Sequence, residues 1–563
     1  MAVLAHAATS GGVDGRAWYV DCQRGNDAAD GLSISSAWRS TAAVSAHTFQ
    51  PGDAIYFRRG STCSGMLAPR GSGSASAPIR LGAWGSGALP HIAARPGEPA
   101  ALRLSDQQYW TIEHLEFSGG DPHGIFVTGT RGILRGIHVR DVVVHDVTGE
   151  PKDKEGGLVV IAAGSQRQRF DDVVVDGVTA YRTSQWAGVM VGSVTHGFLS
   201  SAERSTSVAV RNSIVHDVAG DGIILFQVNK GTIENSVAWH TGMQERETIG
   251  TPNAIWNWMC DDCTVRNNEA FLTDSPGVDG GAFDIDYGND NNLVEDNYGH
   301  DTQGYCIAVF GSGWVTTNSI IRDNVCAGNG RSPRLAERQG AIFLYTWNNG
   351  KLRGVRFTGN RVFWNPPIAA PAVVNQAEFD GKGSFEDQKI ESFSPFFVRS
   401  NAALAFDRNS YTYIGQGDTR WEFNGKTYQR FEDYQRGAGQ DSHSTMRREA
   451  GEIFPARNVL LTAFVVAREQ VPQLISVHRQ FPDLPLAIVS NAPAEAQSNL
   501  RFDWNLGDIP LTFDSKLVAP AVILEDAAGH VLWRHDGLIS PGELGLALRK
   551  FAGQPDYARL SSQ

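Results

Sequence analysis

The chain has 563 residues, 41% of them apolar, which is too long for one ordinary domain and ample for more than one core. Its formal net charge of −12 excludes nucleic acid as a natural partner, because phosphate binding needs a basic surface, and it disfavours a polyanionic substrate. No run of eighteen apolar residues occurs, so no membrane-spanning helix is expected, and the 61 glycines follow no triplet period, so they are turn residues rather than collagen.

The start, Met1-Ala-Val-Leu-Ala-His-Ala-Ala8, reads as the tail of a secretory signal, and residues 1–15 are expected to be disordered or a signal remnant. Export, to the periplasm or the medium, suits the six cysteines. Cys306 and Cys326 lie about one repeat apart and Cys22 is a candidate partner for Cys63, although six cysteines allow 15 pairings. Cys260 and Cys263 form a lone Cys-x-x-Cys. It lacks the second pair that zinc needs, and it does not open a helix after a strand as a redox motif does.

Residues 16–99 are dense in turn signals, from Gly25-Asn-Asp27 and Pro51-Gly-Asp53 to Ala77-Pro-Ile79, and read as an N-terminal cap. From residue 100 to 365 the chain repeats a small residue followed by alternating apolar positions. Examples are Gly124-Ile-Phe-Val127, Gly188-Val-Met-Val191, Gly222-Ile-Ile-Leu225, Ala254-Ile-Trp-Asn257, Ala282-Phe-Asp-Ile285, Cys306-Ile-Ala-Val309 and Ala341-Ile-Phe-Leu344. A second series, out of phase with it, comprises Asp141, Asp176, Asn212, Asn235, Asn268, Asn297, Asn324 and Asn360, spaced 35, 36, 23, 33, 29, 27 and 36 residues apart. Such periods predict a solenoid of stacked coils, and Asn suits its corners by tolerating left-handed backbone and by bonding along the stack. The cap and coils resemble bacterial right-handed parallel β-helix proteins of the pectate-lyase-like superfamily. That resemblance implies a mainly β fold and a carbohydrate-active protein, with polysaccharide or oligosaccharide as partner.

Residues 366–455 are less regular. The Pro366-Pro367 and Pro371 cluster breaks the repeat, Asn409-Ser-Tyr-Thr-Tyr413 reads as a last coil, and Asp433 to Ser442 resembles the closing segment of bacterial β-helix enzymes. Residues 456–563 change character: strands at 458–466 and 485–490, a helix at 472–481, a hairpin over 518–533 and a closing helix at 541–548. This order resembles a small α/β thioredoxin-like domain, with Ala519-Pro520 matching the cis-proline loop of that family. Where the family carries Cys-x-x-Cys, this chain reads Val466-Ala-Arg-Glu-Gln-Val-Pro472, and no cysteine follows Cys326. Thiol exchange is therefore excluded there, and the tail is read as a unit that docks another protein or packs on the solenoid.

Strand alternation assigns Ile223, Leu225, Phe283, Ile285, Ile307 and Val309 to the interior and the intervening residues to the outer face. The outer row then reads Trp256 and Trp258, Asp284 and Asp286, Phe310, Tyr345 and Trp347. Two carboxylates on one strand stand roughly 6.6 Å apart, inside the roughly 6.5–9.5 Å that inverting glycosidases use, and flanking rings suit the C–H faces of sugars. Acids this close cannot ionise independently, so one pKa is expected to rise. Asp279 and Asp221 are further catalytic candidates at the mouth, and His300, near the Asn297 corner, is a candidate for substrate binding; His145 and His216 occupy like corners.

The expected activity is glycoside hydrolysis on an exposed face, with Asp284 and Asp286 as acid and base in an order the sequence leaves open and no required cofactor or metal. A polysaccharide lyase on the same fold is the second reading; Ca²⁺ would enter only there, and Lys230 is the lysine assigned near the row. A non-catalytic glycan-binding or adhesion scaffold is the third. The polygalacturonase motifs are not found.

Overall fold

A computed structural model describes residues 15–194, 196–244, 249–332, 340–364, 396–399, 404–415, 419–449, 458–557 and 560. The signal-like start and the Pro366-Pro367 and Pro371 cluster lie outside them.

The alternating phrases form strands because β-branched and aromatic residues fill one side of each pleat while Asn, Asp and Gly make the bends between. The strands stack into three long sheets of 13, 13 and 12 strands. Each of the central coils gives one strand to each sheet. All neighbours in these sheets pair in parallel, apart from the antiparallel pair Trp421–Phe423 and Lys426–Tyr428. The chain is thus a parallel β-solenoid. Coil pairing starts already at Ala17–Val20 against Ala54–Arg58, and the third sheet begins at Leu102–Ser105. The segment expected as the last coil is the strand Ser410–Ile414, and one more strand, Thr445–Glu449, pairs beyond it.

The interior is one continuous column of apolar side chains that includes Ile223, Leu225, Phe283, Ile285, Ile307, Val309, Ile342 and Leu344, as alternation predicts. At one corner the asparagines hold the stack. The Nδ2 of Asn268, Asn297, Asn324 and Asn360 each donates to the Oδ1 of the next coil's asparagine at 3.0, 2.9, 3.0 and 3.1 Å, ending on Asn409. The left-handed backbone is divided differently from expectation. Asp141, Asn212 and Asn235 adopt it themselves, whereas in the later coils the residue before the ladder asparagine does so, as at Asn267, Asp296 and Asp323.

Cys22–Cys63 and Cys306–Cys326 are disulfide-bonded, and Cys260 and Cys263 are free thiols buried in the interior column.

After residue 457 the chain forms a separate five-stranded mixed sheet. Val459–Val465 lies at its centre, parallel to Leu486–Ser490 and antiparallel to Ala521–Asp526, with Leu511–Phe513 and Val531–Asp536 at the edges. The helices Val471–Gln480 and Pro541–Phe551 match the two expected ones. Helix Ala494–Asp503 and strand Leu511–Phe513 were not anticipated. Ala519-Pro520 is not cis; among the described residues the cis peptide is Asp121-Pro122.

This unit packs on the second sheet of the solenoid. Ile214, Val237, Trp239 and Phe271 join its core. Arg549 donates to Asp301 and, at 2.9 Å, to Tyr298 Oη; Tyr557 Oη also donates to Asp301; Gln480 Nε2 reaches Glu269 at 2.6 Å. Among the described residues no helix is long and apolar enough to cross a membrane.

Candidate functional site

The third sheet carries the chemistry on its outer face. Its register puts Ile224, Trp256, Asp284, Ala308 and Phe343 in one row, and Phe226 beside Trp258 in the next. Asp284 thus lies on the opposite side of its strand from Phe283 and Ile285, which fill the interior. Asp286 follows one residue beyond Ile285, whose partner is Asn257, and so extends the row of Trp258.

The residue before each small residue forms a further column. Asp221, Asn253, Gly281 and Tyr305 precede Gly222, Ala254, Ala282 and Cys306 and stack coil on coil. Asn253 ties this column to the aspartates. Its backbone N–H donates to Asp221 Oδ1 at 2.8 Å and its Nδ2 to Asp284 Oδ2 at 3.3 Å. Its Oδ1 accepts from Tyr305 Oη at 2.8 Å and from the Gly281 N–H at 2.9 Å. Tyr305 Oη also reaches Asp279 Oδ1 at 3.3 Å, and Thr251 Oγ1 donates to Asp279 Oδ2. The Trp186 indole N–H donates to Asp221.

Asp221, Asp279, Asp284 and Asp286 therefore converge on one site. Their environments differ. Asp221 is fully buried and Asp284 is 4% exposed, and no described donor reaches Asp284 Oδ1. Asp279 and Asp286 are half-buried. Burial, reinforced by the charges of Asp286, Asp279 and Asp221, pushes Asp284 well above the carboxylate range, and burial likewise raises Asp221. Burial pushes Asp279 to about 6, against the opposing Thr251 and Tyr305 hydrogen bonds, and pushes Asp286 to about 7. The Tyr305 phenol, buried among aspartates, rises well above its usual value and stays protonated.

One cation offsets this negative charge. Lys154 Nζ stands 5.0 Å from the ring centre of Trp186 and 4.9 Å from that of Trp256, and its charge lowers the pKa of all four aspartates. Sequence reasoning missed Lys154, which lies in the loop before Gly157–Ala163, where the repeat gives no register. Lys230 sits instead at an exposed left-handed position in the first sheet. Tyr305, Asn253 and Trp186 were also missed.

Two expectations need correction. Trp256, Trp258, Phe310 and Tyr345 do not form an open platform: they are 4%, 7%, 6% and 3% exposed. Trp256, Trp258 and Phe310 pack edge to face on Phe226 and Phe343, Tyr345 stacks on Phe343, and Trp347 is half-buried against the second group. These rings wall the buried Asp284, while Asp279 and Asp286 stay partly open to solvent. His300 does not bind substrate, since it is fully buried beneath the C-terminal unit, between Glu269 at 3.1 Å and Asp301 at 2.9 Å. The histidines of that column stack on neighbouring rings (His145 on Tyr181, His216 on Trp239, His300 on Phe271), which gives them a structural role.

Elsewhere among the described residues, His91, Glu116 and His145 offer metal-type donor atoms within 4.8 Å of one another. They are satisfied as they stand: His145 bonds Glu116 at 3.0 Å and Asp146 at 2.7 Å, and His91 bonds Ser118 at 2.7 Å.

Residues 196–386 match a family model described as "right handed beta helix region". No curated protein matches the chain. Among solved structures it is similar to a GH136 lacto-N-biosidase from Eubacterium ramulus, at 19% identity and TM-score 0.49 over 78% of this chain and 67% of that one. It is also similar to an alginate lyase from Paenibacillus sp., at 19% identity and TM-score 0.37 over 52% and 95% of the two chains. A third similarity is to the A-module of a mannuronan C-5 epimerase from Azotobacter vinelandii, at 13% identity and TM-score 0.38 over 76% and 99%. The solenoid assignment rests on the strand pairing itself.

Proposed function

We propose that this protein is a glycoside hydrolase in which Asp286 donates the proton to the leaving oxygen and Asp279 is the ionised partner. The observation that carries the reading is the division between two half-buried carboxyls in one walled site. Asp279, held by two hydroxyl donors, is pushed only to about 6, while Asp286 is pushed to about 7. Burial raises both acids, and the hydroxyl donors on Asp279 favour its ionised form, so the site can pair a carboxylate with a carboxylic acid, as glycosidic cleavage needs. Asp284 and Asp221 are too deep to touch a sugar. They hold Asn253, Trp186 and the local field in place.

An elimination mechanism requires a base for a carbon-bound proton. The protonated Tyr305 does not supply one and Lys154 is here a cation, so among the described residues the lyase reading has less support, and Ca²⁺ bound by the aspartates would be an added requirement. We further read the C-terminal unit as a thioredoxin-like brace without redox function, and the two disulfides as favouring an exported protein.

The test is a screen of neutral and acidic oligosaccharides with the parent chain, Asp279→Asn and Asp286→Asn. Hydrolysis should follow a bell-shaped pH profile with limbs near 6 and 7, and each substitution should cost about 10²–10⁴-fold in kcat. Full activity in both variants would overturn the assignment.

A further inference from the structure

The rings walling the carboxylates are buried, yet the wall continues outward into rings that are not. Phe198 is 55% exposed and Trp314 is 40% exposed, among the most exposed large apolar side chains described. They touch each other with ring centres 5.0 Å apart, and Phe198 also lies 5.6 Å from Trp258. Trp258 in turn meets Tyr287 at 5.8 Å, and Tyr287 meets Trp347 at 6.1 Å. A chain of ring contacts therefore runs from solvent, through the buried Trp258, to Tyr287, the residue that follows Asp286.

Phe198 is held out deliberately. The side chain of Gln227, 1% exposed, fixes the backbone on both sides of it. Gln227 Nε2 donates to Gly197 O and Ser193 O, each at 2.9 Å, and its Oε1 accepts the Leu199 N–H at 2.6 Å. A buried amide with its donor and acceptor satisfied fixes the backbone at Gly197 and Leu199, and Phe198 between them presents an apolar ring to water. Exposed apolar rings in contact, on a pinned support and continuous with a reactive centre, mark a binding surface.

We infer that Phe198 and Trp314 form a stacking subsite for a pyranose ring of the glycan, at least one unit away from the bond cleaved at Asp286. This rests on the carbohydrate reading above and deepens it. The rings offer π faces to the C–H side of a sugar and no charge, so the subsite suits a neutral sugar unit. It makes the protein selective for chains that extend past the cleavage point.

Affinity electrophoresis of the full chain through gels containing galactomannan, arabinoxylan, xyloglucan or mixed-linkage β-glucan tests this. Asp286→Asn removes turnover from the measurement. That chain should be retarded by at least one of the four polymers. Adding Phe198→Ala or Trp314→Ala should weaken retardation at least about fivefold, and Phe198→Trp should restore it. Retardation unchanged by the alanine substitutions, retardation by none of the polymers, or a self-association that the same substitutions abolish would each overturn the subsite. Loss of retardation as expected, with no hydrolysis by the parent chain, would leave the subsite standing and remove the hydrolase reading.

Discussion

Gly281 lies directly under the ring of Tyr305: a Cβ built on the glycine would stand 1.9 Å from the ring carbon Cε2. The absence of a side chain there lets the phenol lie across the coil and reach Asn253 and Asp279 at once. One coil along, Asn253 carries that contact to Asp221 and Asp284. The glycine therefore shapes the hydrogen-bond network that holds Asp279, Asp221 and Asp284.

Gly281→Ala should accordingly damage activity more than folding. The alanine methyl cannot fit beneath the ring, so Tyr305 must swing away and the Asp279 carboxyl loses one donor. We expect kcat to fall at least about tenfold, while far-UV circular dichroism and the unfolding midpoint of the solenoid change little. A variant with unchanged kcat would show that the Tyr305 link is dispensable.

The acids also tax stability, in a direction that pH reveals. Asp279 and Asp286 have folded pKa values of about 6 and about 7, raised from 3.8. Well below pH 3.8 both are protonated whether folded or unfolded, and their contribution is fully present. It is lost as pH rises through 6 and then 7, because the unfolded chain releases those protons more readily. Asp279→Asn and Asp286→Asn should therefore raise Tm by about 2 °C or more at pH 8 and leave it nearly unchanged at pH 4. Differential scanning calorimetry at the two pH values checks this, and a lower Tm at pH 8 would contradict it.

Lys154 opposes the burial that raises these acids. Its ammonium lowers all four, so Lys154→Met should move both limbs of the pH–rate profile upward by about half a unit or more. Asn substitutions of the acids remove limbs, whereas this change should shift them with both retained. A profile that keeps its position would mean that the ammonium is screened from the site.

The solenoid is legible in the sequence because its signal is repeated. Eight coils state the same alternation, so the phase that sends Phe283 and Ile285 inward and Asp284 outward is written many times over. Asp279, Asp284 and Asp286 are close in sequence, and register brings in Asp221. The alignment that picks out Asp221 also runs through Asn253, Gly281 and Tyr305, each just before the small residue of its coil, so that column was readable and only its first member was taken. Lys154 was not readable in the same way: it arrives on a loop, where no period fixes position. Exposure was the other failure. Alternation says which side of a strand Trp256 and Phe310 occupy, but not that neighbouring rings will pack over them. His300 shows the same limit, since nothing in its own coil announces that Arg549 and Tyr557, some 250 residues later, close over it.

The central claim is that water, guided by Asp279 and Asp286, is added across a glycosidic bond. Digesting the oligosaccharide panel in heavy-oxygen water and weighing the products by mass spectrometry tests it most directly. One product of each cleavage should carry a single heavy oxygen, and Asp286→Asn should abolish its formation. Products without the label, bearing instead a double bond that absorbs in the near ultraviolet, would contradict it.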